Sequence, residues 1–192
     1  MTHLGTVTLE TERLILRRFT LDDAEAMFRN WASDPKVTKF LMWQPHESVA
    51  VSKSILEQWV NSYQSPEYYS WAIVPKSLGE PIGNIAVVYA HPKVESLEIC
   101  YSMGTAWWNQ GIMTEALKAV IQYLFEQVGA RRVDATYNPI NVGSGRVMAK
   151  AGMRYEGTLR GMSRNNMGIT DKAYYAILAD DYFHRGTEPP TN

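Results

Sequence analysis

Residues 97 to 138 limit the fold more than any other stretch of this sequence. "SLEICYSM" (96 to 103) is a short β-rich run, and Leu117, Val120, Ile121, Leu124, Phe125 and Val128 then recur at helical spacing. Gly129 closes that pattern where a left-handed residue commonly ends a helix, and "RRVDATYN" (131 to 138) is β-rich again. Two strands joined through a helix run parallel, by a crossover that is right-handed in nearly all proteins. The segment therefore predicts an α/β fold with at least one parallel pair.

The rest of the chain surrounds that unit with antiparallel strands and short helices. "TERLILRRF" (11 to 19) reads as a strand, and Thr20 with Asp23 starts a helix in the manner of a capping box. Ala24, Met27, Phe28 and Trp31 carry the helix until Pro35 stops it. Ser48 caps a second helix with the stripe Val51, Ile55, Leu56, Trp59, Val60 and Tyr63. "YYSWAIVPK" (68 to 76) and "PIGNIAVVYAH" (81 to 91) precede "SLEICYSM" across turn-rich links, which predicts an antiparallel meander. "GSGRVMAKAG" reads as a short basic helix ending at Gly152, "RYEGTLRGM" and "AYYAILADDYF" as closing strands, and "RGTEPPTN" as a frayed tail.

Composition excludes several classes of partner. The 192 residues, 45% hydrophobic and 20% charged, suit a single domain over 1–192 with its core over residues 8 to 184. Nineteen basic and twenty acidic residues are scattered without blocks, so no nucleic-acid or anionic-membrane partner is expected. No apolar run approaches the roughly 20 residues that span a bilayer. One cysteine, Cys100, excludes an internal disulfide and reads as a buried strand residue; with no signal-peptide pattern at the start, a cytoplasmic location is expected. The four histidines are dispersed, so no metal is expected.

"WWNQGIMTEAL" (107 to 117) leads straight into the long helix, at the carboxyl edge of a strand where the unpaired amides of a helix start bind anions. Gly111 would give a phosphate room to approach; capping by Asn109 with an incidental Gly111 explains the same residues, and local sequence does not separate the two. Neither G-x-G-x-x-G nor G-x-x-x-x-G-K-[ST] is present, so a phosphate-bearing cofactor other than a Rossmann dinucleotide or P-loop nucleotide is required. Asn138, Asn141 and Ser144 leave the next strand at the same edge, where turn and cap chemistry is the competing reading.

These two segments, in this order and about thirty residues apart, resemble the GNAT acetyltransferases, in particular the Rim-type branch that acetylates ribosomal proteins. The resemblance covers nearly the whole chain: "TERLILRRFTLDDAEAMF", "PIGNIAVV", "LEICYSM", "WWNQGIMTEAL" and "NVGSGRVMAKAGMRYEGTLR" each match a segment of that branch. It implies a mixed, splayed, mostly antiparallel sheet flanked by helices. Acetyl-CoA would enter between the two parallel strands, with its pyrophosphate on the amides of residues 109 to 114. The cofactor-binding set is then Ser102, Met103, Trp108, Asn109, Gln110, Gly111, Ile112, Met113, Thr114, Asn141 and Ser144. Trp108 stands where the wider family has Gln or Arg, and Met113 where it has Gly or Ala.

An attacking amine must be neutral, and a lysine amine titrates near 10.4, an α-amine near 8. Glu98, opposite Leu97 and Ile99 on its strand, is the candidate base, since similar enzymes carry a glutamate there; an ordinary solvent-facing glutamate is the competing reading, and Glu95 is a weaker candidate. By the same resemblance Ser144, in Asn-x-x-Ser from Asn141, donates to the leaving sulfur, and a backbone amide near Ser102 or Met103 meets the oxyanion. Tyr101 and Tyr137 are alternative acids, though strand tyrosines more often pack. Trp43, in a polar loop, is as suited to touching an acceptor as to packing. The resemblance implies an acceptor that is an amine-bearing small molecule or a protein N-terminus, and the last strands are where a homodimer would form. A silent acyl-CoA-binding module is the alternative to an enzyme. A succinyl donor would call on Arg160 or Arg164.

Overall fold

Alternation of apolar side chains along the β-rich runs gives one eight-stranded sheet with a large core on one face and a smaller one over part of the other. The computed structural model describes residues 1–184, so the expected frayed tail lies outside the described residues. The strands are β1 (Leu9–Glu10), β2 (Leu14–Arg17), β3 (Ser70–Pro75), β4 (Gly83–His91), β5 (Ser96–Met103), β6 (Arg132–Tyr137), β7 (Arg154–Asn165) and β8 (Gly168–Leu178). Their order is β1-β2-β3-β4-β5-β6-β8-β7. Only β5 and β6 pair in parallel; every other neighbour is antiparallel. The expected mixed, mostly antiparallel sheet and the parallel pair around the long helix are both present.

The period of two decides which face each side chain serves. Leu14, Leu16, Trp71 and Ile73 join Leu97, Ile99, Val133 and Ala135 beneath α4 (Ile112–Glu126) and α5 (Val142–Ala151). Ile15, Ala72 and Val74 face the other way, onto Ala24, Met27 and Trp31 and onto Leu56 of α3 (Val49–Ser62). Covered on both sides, β3 is buried at all six positions. Leu117, Val120, Ile121 and Leu124 of α4 are at most 1% exposed. Each such burial contributes about 1.5–3 kcal/mol, more than the ~0.7 kcal/mol range of ordinary helix propensities, so packing rather than propensity holds this helix. Among the described residues no helix is long and apolar enough to cross a membrane.

Four expectations change. The first helix is α1 (Ala24–Met27), which widens into a π-turn over Phe28–Ala32; Pro35 does not end a helix but opens another, α2 (Pro35–Thr38), whose cap Asp34 accepts from the Lys36 amide at 2.8 Å. Proline lacks the N–H that a first helical position would leave unpaired, which is why it starts α2. The run 173 to 183 is strand only to Leu178 and then turns helical as α6 (Ala179–Phe183), because Asp180 and Asp181 suit the positive end of a helix and Tyr182 packs against Phe125. Ser48 caps α3 by backbone conformation without using its hydroxyl. Cys100 is exposed, because it points away from α4 on a part of the sheet that α1 to α3 do not cover.

Candidate active site

The parallel pairing of β5 with β6 joins Ser96–Ile99 to Arg132–Ala135 and stops. β5 continues to Met103, bonded only to β4, so one edge of Cys100 to Met103 is left without a neighbouring strand. A cavity of about 480 Å³ fills this gap. It is lined by Tyr101, Ser102 and Met103, by Trp107, Trp108, Asn109 and Gly111 to Thr114, by Ile140 to Ser144, and by Val37, Phe40 and Leu41.

One wall is a row of free donors. The first backbone bond into α4 is from Glu115 N–H to Gly111 C=O at 3.0 Å, and among the described residues the amides of residues 109 to 114 meet no protein acceptor. Gly111 is the helix cap, at φ +76°, and Asn109 also has a positive φ, +61°. Successive amides in such a turn converge on one concave site suited to an anion. Asn109 is thus part of the turn and not the cap.

The two departures from the family pattern are both accommodated. Trp108 donates its indole N–H to Met103 C=O at 2.8 Å, which ties the turn to the end of β5. Met113 is 4% exposed and packs in the core under the sheet while it also lines the cavity. Gln110 does not line the cavity; its side chain bonds Ala106 C=O.

On the opposite wall Asn141 caps α5, its Oδ1 accepting from the Ser144 amide at 3.4 Å. Ser144 Oγ donates to Tyr101 Oη at 3.1 Å, and Tyr101 Oη donates to Ser144 C=O at 3.0 Å. This pair spans the gap between β5 and α5. Burial pushes the Tyr101 phenol well above its ordinary value of about 10, so it stays neutral. By sequence Tyr101 is only an alternative acid to Ser144, and only the fold shows the two hydroxyls meeting. Arg146 and Lys150 complete this wall, and among the described residues no Asp or Glu lines the cavity.

Glu98 is not brought to the cavity. It accepts from Thr136 Oγ1 at 2.9 Å, with Lys172 Nζ 3.7 Å away, on the sheet face it shares with Cys100 and Ser102. Ser102 Oγ donates to Asn84 Oδ1 at 2.6 Å on that face. Glu95 is at the other end of β5, bound to the N-terminal ammonium at 2.5 Å. Asn138 accepts from the Ile140 amide at 3.0 Å in a local turn. Tyr137 packs against Tyr175, while Trp43 packs against His46 and the second core and does not line the cavity. Arg160 and Arg164 are exposed on β7.

Residues 13–154 match the acetyltransferase (GNAT) domain. The uncharacterized N-acetyltransferase YoaA of Bacillus subtilis (strain 168) is 32% identical over 170 residues, which cover 88% of this chain and 96% of that protein. The [Ribosomal protein uS5]-alanine N-acetyltransferase of Escherichia coli (strain K12) is 40% identical over 57 residues, 30% of this chain and 29% of that protein. The crystal structure of an acetyltransferase (GNAT family) from Bacillus anthracis superposes with a TM-score of 0.80 at 25% identity, covering 91% of this chain and 99% of that one. With its splayed parallel pair, its free helix-start amides and these relatives, the chain belongs to the GNAT family of acetyltransferases, whose acetyl donor is acetyl-CoA.

Proposed function

We propose that this enzyme acetylates the α-amine of a protein or peptide, and that the amides of residues 109 to 114 hold the pyrophosphate of acetyl-CoA. The row of free amides over residues 109 to 114, all but Gln110 belonging to residues that line the cavity, carries this reading. The residues present fit the cofactor: free N–H groups and the positive end of α4 suit a diphosphate, and Arg146 and Lys150 bring cationic groups to the same cavity. Acetyl-CoA supplies an activated acetyl thioester. Asn141 orients the arm that carries it, and a main-chain N–H of Ser102 or Met103 meets the acyl oxygen.

The acceptor end of the cavity supports a single amine on an apolar neighbour. Val37, Phe40 and Leu41 form it, and a polyamine or aminoglycoside would find no carboxylate among the described lining residues. An α-amine titrates near 8, so a useful fraction is neutral at physiological pH without a strong base. Glu98 does not line the cavity, so a proton passed to it from the amine would have to travel through solvent. The leaving thiolate would take one proton from one of the paired Ser144 and Tyr101 hydroxyls, and the other could replace it through their hydrogen bond. The Escherichia coli relative, described as an alanine N-acetyltransferase, acts on an acceptor of this class.

Calorimetric titration with acetyl-CoA comes first, with Gly111→Glu as the control that places a negative charge in the cradle. Thiol release is then followed with alanine-initiated peptides and with spermidine. Micromolar-scale binding, about −8 kcal/mol, lost in the control and followed by faster turnover of peptide than of spermidine, is the expected result. Binding without turnover of any amine would favour a silent acyl-CoA-binding module. Ser144→Ala and Tyr101→Phe each lower kcat about tenfold to a hundredfold, within the range of general-acid effects. In the wild type kcat/KM rises through the pKa of the amine and stays level to about pH 10, because Tyr101 remains protonated above its ordinary value. Glu98→Gln with an unchanged rate at every pH would remove Glu98 from the mechanism.

A further inference from the structure

Arg13 lies nearly a hundred residues before the cofactor turn and does not line the cavity, yet it is bonded to that turn from behind. Its Nη1 donates to Gln110 C=O at 3.1 Å, and its Nε donates to Glu115 Oε2 at 2.7 Å. Its Nη2 is 3.5 Å from where a β-carbon on Gly111 would stand. Glu115, in the first turn of α4, is held further by Thr11 Oγ1 at 2.6 Å and by the Arg13 amide at 3.0 Å.

Two consequences follow from peptide geometry and charge. In a trans peptide the C=O of one residue and the N–H of the next point in opposite directions. Holding Gln110 C=O on the Arg13 side therefore turns the Gly111 N–H toward the side where Gly111 lines the cavity. The second consequence concerns Glu115. A carboxylate in the first turn of α4 is the natural competitor of a phosphate for the positive helix end. Arg13 and Thr11 bind it on the far side and leave the cradle to an incoming anion.

We infer that Arg13 is a positioning residue for the diphosphate end of acetyl-CoA: with Glu115 and Thr11 it fixes the 110–111 peptide so that the cradle amides face the cavity before the cofactor arrives. This rests on the proposed use of those amides. Preorganisation raises affinity because the turn need not be ordered on binding.

The test compares acetyl-CoA with S-acetyl-pantetheine, which has the same thioester arm but no diphosphate. Affinities of wild type, Arg13→Ala, Arg13→Lys and Glu115→Gln are measured by calorimetry, with competition for the weaker ligand and thermal melting to confirm folding. Arg13→Ala is expected to lose about tenfold or more in affinity for acetyl-CoA, the scale of a charge-assisted bond, with S-acetyl-pantetheine unchanged. Arg13→Lys keeps the charge without the two-pronged geometry and is expected to lose nearly as much. Unchanged acetyl-CoA affinity in folded Arg13→Ala overturns the inference, and so does an equal loss for both ligands, which marks a general structural role. Full rescue by lysine reduces Arg13 to a diffuse charge and overturns it as well. If Arg13→Ala does not fold, Glu115→Gln decides by the same two-ligand comparison. Failure of the wild type to bind acetyl-CoA at all removes the proposed function itself, an outcome separate from these.

Discussion

At the scale of single residues, Gly104 and Gly111 show two different reasons for the same amino acid. Gly111 sits at φ +76°, where a side chain is strained, and its place just before an apolar-periodic run marks it in the sequence as part of a helix start. Gly104 has an ordinary φ of −57°, and its reason is contact. A β-carbon there would stand 2.1 Å from Asn30 C=O, in the π-turn, and 2.7 Å from the Trp107 ring. Gly104→Ala is therefore expected to destabilise the fold by about 3 kcal/mol, the upper part of the overpacking range, read as a lower urea midpoint with an unchanged slope. A midpoint equal to wild type would mean that the π-turn moves aside freely. Trp107 is close in sequence, but the nearest obstacle, Asn30 C=O, belongs to a segment about seventy residues earlier, which nothing around position 104 signals.

At the scale of elements, the β7–β8 hairpin reaches across to the segment after α2 and fastens it. Asn166, at the hairpin tip, donates its amide to Leu41 C=O at 3.1 Å and its Nδ2 to Thr38 C=O and Trp43 C=O at 2.9 and 2.8 Å. Gln44 Nε2 donates to Asn166 Oδ1 at 2.7 Å. The segment so held carries Phe40 and Leu41, which with Val37 of α2 line the cavity. Asn166→Ala is expected to raise KM for the amine severalfold while leaving acetyl-CoA affinity unchanged, measured by steady-state kinetics beside calorimetry; a matching loss of acetyl-CoA affinity would show that the latch supports both ends of the cavity. The sequence marks this hairpin's strands only over 154 to 162 and from 173 on, and leaves out the outer part, to Asn165 and from Gly168, that reaches the latch. The latch itself is not legible, since one asparagine in a turn is indistinguishable from any other until the loop it binds is placed.

At the scale of the whole molecule, carboxylates tie distant parts of the chain together and set its acid limit. Burial pushes the Glu115 carboxyl up, but the bonds from Thr11, the Arg13 amide and the Arg13 guanidinium outweigh it and hold the carboxyl below its ordinary range. Glu156 is lowered by its bonds to Arg132, against a smaller opposing effect of burial. A carboxyl whose folded pKa lies below its unfolded value stabilises the fold above the unfolded value, near 4.3, and that stability is lost as pH falls through the folded value. The urea midpoint is expected to fall between about pH 5 and pH 3, and Glu115→Gln to remove part of that dependence while lowering the midpoint at neutral pH. A pH profile that is the same in the variant would show that other carboxylates set the acid limit.

The strand, helix, strand unit, the meander before it and the helix start that presents its amides are readable from the residues alone, because each follows from the local period of apolar side chains and from short-range backbone chemistry. The sequence also pointed to the positions where Trp108 and Met113 depart from the family pattern. Only the tertiary structure decided that Met113 is absorbed by the core, that Tyr101 meets Ser144 across the gap and Arg13 reaches the turn from behind, and that Glu98 is drawn to Thr136 and Lys172 away from the cavity. Those outcomes depend on which side chains from distant segments arrive at the same place, and on the point after Ile99 where two parallel strands cease to pair. Local periodicity carries no record of either, since both are set by the packing of helices on the two faces of one sheet.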